Sequence, residues 1–108
     1  MILCGCMIQE GQVPEATQKE LEQGLGEITQ RFFEAPAAAV WTTVAEGDGW
    51  TAGEPSSSSL VVMYVPAGME QDRRTSLLSE LCDLWMAKTG CSINEIVATA
   101  NDLPTEEN

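Results

Sequence analysis

Cys4 and Cys6 stand two residues apart in the opening stretch MILCGCMIQEGQ. In an extended chain, positions i and i+2 project from one face, so both thiols could reach a single ion. A zinc site takes about four ligands, so Cys82 and Cys91 would have to converge on the same point. The apolar neighbours of CGC favour small core side chains over a metal or redox centre, and neither metal nor cofactor is expected. The chain has no histidine. That removes Ser–His and Cys–His catalysis together with the commonest metal ligand. The α-amine of Met1 is a primary amine that can accept a proton or form an imine with a carbonyl.

Other chemistry-bearing residues have plainer readings. Arg73 and Arg74 are the only adjacent bases and could hold a carboxylate. They fall near a helix start, where anions are favoured, so they read as surface charges pairing with Glu70 or Asp72. Lys19, Arg31 and Lys88 read as solvated helix faces. Ser56–Ser59 lacks the interleaved glycines and lysine of a phosphate loop and precedes a strand instead of a helix. Trp41 and Trp50 could each line an apolar pocket at an interface, with core or trimer packing the favoured reading for Trp41. Thr43 and Thr99 read as strand residues facing a neighbour.

The elements that must carry these groups follow from patterning. The chain has 108 residues, a size for one domain. Seventeen acids against five bases give a formal charge of −12, which excludes the basic footprint of nucleic-acid or anionic-lipid binding. No apolar run approaches the ~20 residues of a membrane span, and Met1–Ile8 offers neither the basic start nor the longer apolar region expected of a signal peptide. A cytoplasmic protein with reduced thiols is expected.

Ile2–Ile8 reads as a strand, and Pro14 suits the first turn of a helix. Leu21, Leu25, Ile28 and Phe32 mark one helical face, with Gly24 and Gly26 suggesting close packing. Glu34–Pro36 ends that helix, and Val40–Val44 reads as a strand. The Gly- and Ser-rich stretch 46–59 is a loop or loose hairpin. Leu60–Val65 reads as a strand, Gly68 opens a second helical segment, Thr89–Gly90 stops it, and Ile93–Ala100 supplies the last strand. Leu77, Leu81 and Leu84 lie 56 residues after Leu21, Leu25 and Ile28. The same shift lays Ile8 on Tyr64, Val40 on Ile96 and Thr43 on Thr99.

The expected fold is therefore α/β: a duplicated βαβ unit with repeats at about 2–45 and 58–101, forming a four-stranded mixed sheet with two helices on one face. A single domain spans 1–104, and 105–108 is a frayed tail. The first strand is apolar on both sides, so the bare sheet face needs a cover, and self-association supplies one.

A duplicated βαβ with EG (Glu10–Gly11) closing the first strand, EAP after the helix, GW-TAGEPSSSSL and TGCSINEIVATAND resembles the tautomerase superfamily. Its members include 4-oxalocrotonate tautomerase and macrophage migration inhibitory factor. The resemblance covers about residues 2–104 and implies a homotrimer with inward-facing sheets and active sites near subunit interfaces. It also implies a base made by an N-terminal proline, with arginines holding a substrate carboxylate. An α-amine has a reference pKa near ~8 and serves as a base when a dry pocket lowers it.

This sequence departs from that pattern at the catalytic positions. Counting back from Glu10–Gly11, the proline's place is held by Ile2, whose bulk blocks methionine removal and leaves the amine on Met1. The arginine that follows EG in some members is Gln12, and the second-strand arginine, aligned through EAP, falls at Trp41. The hairpin aromatic is kept as Trp50. The lysine of the cytokine-like branch has become Glu34 or lies near it. The resemblance implies a tautomerase-like isomerase acting on a small enolisable carbonyl acid, weakened by these losses. In that reading Met1 and Ile2 occupy the catalytic positions and Trp50, Trp41 and Gln12 the substrate-binding ones. The alternative is a non-catalytic protein on the same scaffold that binds a small ligand or a protein partner.

Overall fold

A computed structural model describes residues 1–45, 47–51 and 53–103, without the side chain of Thr51. The elements in chain order are β1 (Ile2–Gln9), α1 (Glu15–Phe33), β2 (Ala37–Val44), β3 (Trp50–Thr51), β4 (Glu54–Pro55), β5 (Ser59–Val65), α2 (Gln71–Thr89) and β6 (Ile96–Asp102), the last preceded by a 3-10 turn at Ile93–Glu95. The main sheet runs β2-β1-β5-β6. β1 is parallel to β2 and antiparallel to β5, and β5 is parallel to β6. The stretch between the halves contains the short hairpin β3–β4. The expected tail at 105–108 lies outside the described residues. No described helix is long and apolar enough to cross a membrane.

Strand alternation sets which side chains meet the helices. Ile2, Cys4, Cys6 and Ile8 are buried on the helix-bearing face, as are Val61, Met63 and Val65 from β5. Leu21, Leu25 and Ile28 of α1 and Leu77, Leu81 and Trp85 of α2 complete this core. Gly24 explains how the helices approach, since a Cβ there would lie 2.5 Å from Leu84 Cδ1. Gly26 has open space instead. The opposite sheet face exposes Leu3, Met7, Val40, Tyr64 and Val97.

The 56-residue shift holds for the helices and fails for the strands. α1 and α2 are both 19 residues long and start at Glu15 and Gln71. Ile8 is buried while Tyr64 is exposed, and the buried-face register of β5 begins one residue later, at Ser59. Val40 and Ile96 likewise occupy opposite faces. Thr43 pairs with Ile8 on the helix side, whereas Thr99 pairs with Val62 on the bare side. A single residue gained in a loop inverts every strand side chain, and helical periodicity does not register it.

Candidate active site

Ile2, in the place of the family's proline, is 3% exposed and its N–H donates to the Pro36 carbonyl at 2.8 Å. It is a core and ladder residue, so no base resides there. Met1 projects beyond the last paired residue and is 80% exposed. A groove of about 710 Å³ lies nearby between α1 and the start of β2. Gln23, Gln30, Pro36 and Ala37 are among its lining residues and Met1 is not. Its one base, Arg31, turns outward to Glu80 at 2.6 Å.

Gln12 and Trp50 sit at the other end of β1, roughly 25 Å away by the ~3.3 Å rise of eight strand residues. There the run Ser56–Ser59 is held by two glutamine side chains. Gln9 Nε2 donates to the Ser58 carbonyl at 3.1 Å, and Gln12 Nε2 donates to the Ser57 carbonyl. Gln12 Oε1 accepts from the Gln9 N–H at 3.2 Å and from the Ser59 hydroxyl at 3.1 Å. The Gln12 amide therefore fixes the chain between hairpin and β5. Ser59, the polar member of the buried face, is satisfied by it.

The Trp50 side chain is turned by the hairpin so that Nε1 donates to the Gly47 carbonyl at 2.6 Å. At Gly49 beside it a side chain would be tight, with Gln9 and Val44 side-chain atoms 3.2 Å from an added Cβ. Under Trp50 lies a cavity of about 320 Å³ whose floor includes Met7, Leu60 and Val97 and whose rim includes Gln9, Asp48 and Ser58. Glu95 stands close by, its carboxyl held below the usual carboxylate range by the Ser92 N–H, then by the Ser57 and Ser92 hydroxyls. Gln9, Asp48 and the serine run were not singled out as site residues by sequence reasoning. The signal was the doubled glutamine around Glu10–Gly11, which pairs with the serines only once β1 and β5 are in register.

Trp41 belongs to neither end. It lies on the helix-facing side of β2, its ring 6.0 Å from that of Trp85 and its Nε1 donating to Glu22 Oε1 at 2.8 Å. The arginines are also committed, though not to the partners expected from sequence. Arg74 bonds the Ala100 carbonyl at 2.5 Å and Asp102 at 2.7 Å. Arg73 reaches the Phe32 carbonyl and stacks over its ring at 5.3 Å. Arg31 takes Glu80 with both terminal nitrogens. Burial pushes the Cys4 thiol up to about 11 and the Cys6 thiol up to about 12, the latter aided by Cys4 and Glu22. Both are protonated packing groups at neutral pH. Among the described residues, no cluster of three or more His, Cys, Asp or Glu could hold a metal.

No protein-family model matches the sequence, and no curated protein matches it significantly. Solved structures do. Native Ps01740 superposes with a TM-score of 0.89 at 26% identity, covering 94% of each chain. A fused 4-OT wild-type symmetric trimer gives 0.83 at 24% identity, over 94% of this chain and 85% of that one. Pt0534 inactivated by 2-oxo-3-pentynoate gives 0.85 at 18% identity, with the same coverage. The chain therefore shares the fold of these structures, a fused 4-OT among them.

Proposed function

We propose that this chain forms a homotrimer and acts as a tautomerase-like isomerase on a small enolisable carbonyl acid, with the Met1 α-amine as proton carrier. The observation that carries the reading is the position of Met1, free and solvent-exposed at the edge of a bare apolar sheet face. A contiguous apolar face of this kind is an interaction surface, and burying it in a trimer would enclose the amine. The similar fused 4-OT is a symmetric trimer. Trp50, exposed and at the far end of β1, would wall the site from a neighbouring subunit.

In ketonisation, the ammonium delivers a proton to the enol carbon as the enol oxygen gives its own proton to water, and the neutral amine then takes a proton back from water. The test is ketonisation of phenylenolpyruvate by untagged protein whose N-terminus is verified by mass. A rate above buffer that disappears when Met1 is carbamylated supports the reading. A covalent adduct of 2-oxo-3-pentynoate on Met1 is a second readout, since that compound inactivates the similar Pt0534.

The engagement of Arg31, Arg73 and Arg74 within the protomer favours a second reading, a non-catalytic protein binding a small ligand or partner. A buffer-level rate from assembled protein would select it.

A further inference from the structure

Both helices pack on one face of the sheet, and they carry every lysine and arginine of the chain. Lys19 and Arg31 are on α1, and Arg73, Arg74 and Lys88 are on α2. The three arginines are engaged within the protomer. The bare face therefore holds no lysine or arginine. Enclosing Met1 by burying that face leaves the oxygen atoms of a substrate to neutral donors.

Strand register identifies the donor. Among the described residues, the polar side chains of the bare face are Gln9, Thr42, Tyr64, Thr99 and Asn101. Gln9 and Thr42 stand toward the hairpin end, Thr42 opposite Met7. Asn101 Nδ2 donates to Thr99 Oγ1 at 3.1 Å. Tyr64 stands directly opposite Leu3, which makes it the diagonal neighbour of Met1. Such pairs have Cβ atoms about 7–8 Å apart, within reach of an aromatic side chain. Tyr64 is 37% exposed, and its hydroxyl has no hydrogen-bond partner among the described residues. A phenylalanine would cover the same apolar surface, whereas a phenol on a face that assembly buries needs a partner.

We infer that the Tyr64 hydroxyl is a substrate contact of the Met1 site, donating to the oxygen that becomes the carbonyl. As the enol oxygen releases its proton to water it gains negative charge, and a donor fixed at that oxygen stabilises the change. The phenol keeps its own proton throughout, so Met1 remains the proton carrier. The assignment rests on the isomerase reading proposed above and names the group that meets the substrate oxygen where no arginine is free.

The test is ketonisation of phenylenolpyruvate by Tyr64→Phe beside the parent protein, with sedimentation velocity to compare their assembly. The expected result is a loss of about a hundredfold, the scale of one such donor, falling on kcat more than on KM, with sedimentation unchanged. Equal rates in Tyr64→Phe, when the parent's activity is lost on carbamylation of Met1, would overturn this assignment and leave the Met1 reading standing. A buffer-level rate in the parent would overturn both. A loss of rate that follows a loss of assembly would give the hydroxyl to a neighbouring copy and overturn the substrate contact.

Discussion

Glu34 and Gly90 close the two long helices at equivalent points, 56 residues apart, in the same left-handed backbone conformation. Their φ angles are 53° and 73°, and each N–H returns to a carbonyl four residues earlier, Gln30 and Met86. Glycine takes this conformation without a Cβ penalty, whereas an L-residue is strained by about 1 kcal/mol or more. Glu34→Gly should therefore stabilise the fold by about 1 kcal/mol, and Gly90→Ala should destabilise it by a similar amount. Urea midpoints at one fixed protein concentration would show the opposite signs.

The contact between Gly24 and Leu84 sets helix spacing and should resist enlargement. Gly24→Val would destabilise by about 1–3 kcal/mol through overpacking. Pairing it with Leu84→Ala should recover part of that loss, because the atoms in the way belong to the Leu84 side chain. A double-mutant cycle measures the coupling. Additive effects would mean that the helices do not meet at this point.

Arg74 ties the start of α2 to the end of β6, with its side chain 18% exposed. Arg74→Met should cost about 1.5–3 kcal/mol, because charge-assisted bonds to carbonyls are lost from a sheltered site. Asp102→Asn should cost under about 1 kcal/mol, since that carboxylate is half in solvent and its attraction is screened. Thermal melts of the two variants would separate the backbone anchor from the ion pair.

The thiols of β1 make a prediction about alkali. Cys4 and Cys6 ionise near 9 when unfolded and only at about 11 and 12 in the fold. The folded state thus favours the neutral forms. Their contribution is fully present below pH 9 and is lost as pH rises through 11 to 12. A Cys4→Ala, Cys6→Ala variant should show a shallower loss of stability over that window, measured against the parent. At neutral pH, a thiol reagent should modify Cys82 and Cys91 in the native protein and reach Cys4 and Cys6 only on unfolding.

Much of the scaffold was legible because apolar spacing is a direct consequence of one-sided burial. Leu21, Leu25, Leu77 and Leu81 reveal both helices and their shared face, and the breaks at Glu34–Pro36 and Thr89–Gly90 bound them. The face of each strand was harder. Ile8 and Tyr64 are both large and apolar, one for the core and one for the bare face, and composition does not distinguish the two destinations. The site was less legible still. Met1 and Trp50 belong to opposite ends of one strand, so a shared pocket requires a second copy that no single sequence depicts. For Trp41, alignment through Glu34–Pro36 gives a position along β2, while its packing against Trp85 follows the core reading of the residue itself.

The bare sheet face also shapes how copies find one another. Each protomer carries twelve excess negative charges behind and around an apolar surface that gains from contact. Repulsion acts over roughly 10 Å at 0.1 M salt, while apolar attraction acts only on touching. In the proposed homotrimer, encounters between copies would therefore be slowed at long range and held at short range. Added salt should accelerate assembly without changing its final contacts, making ionic strength a kinetic control on a complex whose adhesion is apolar.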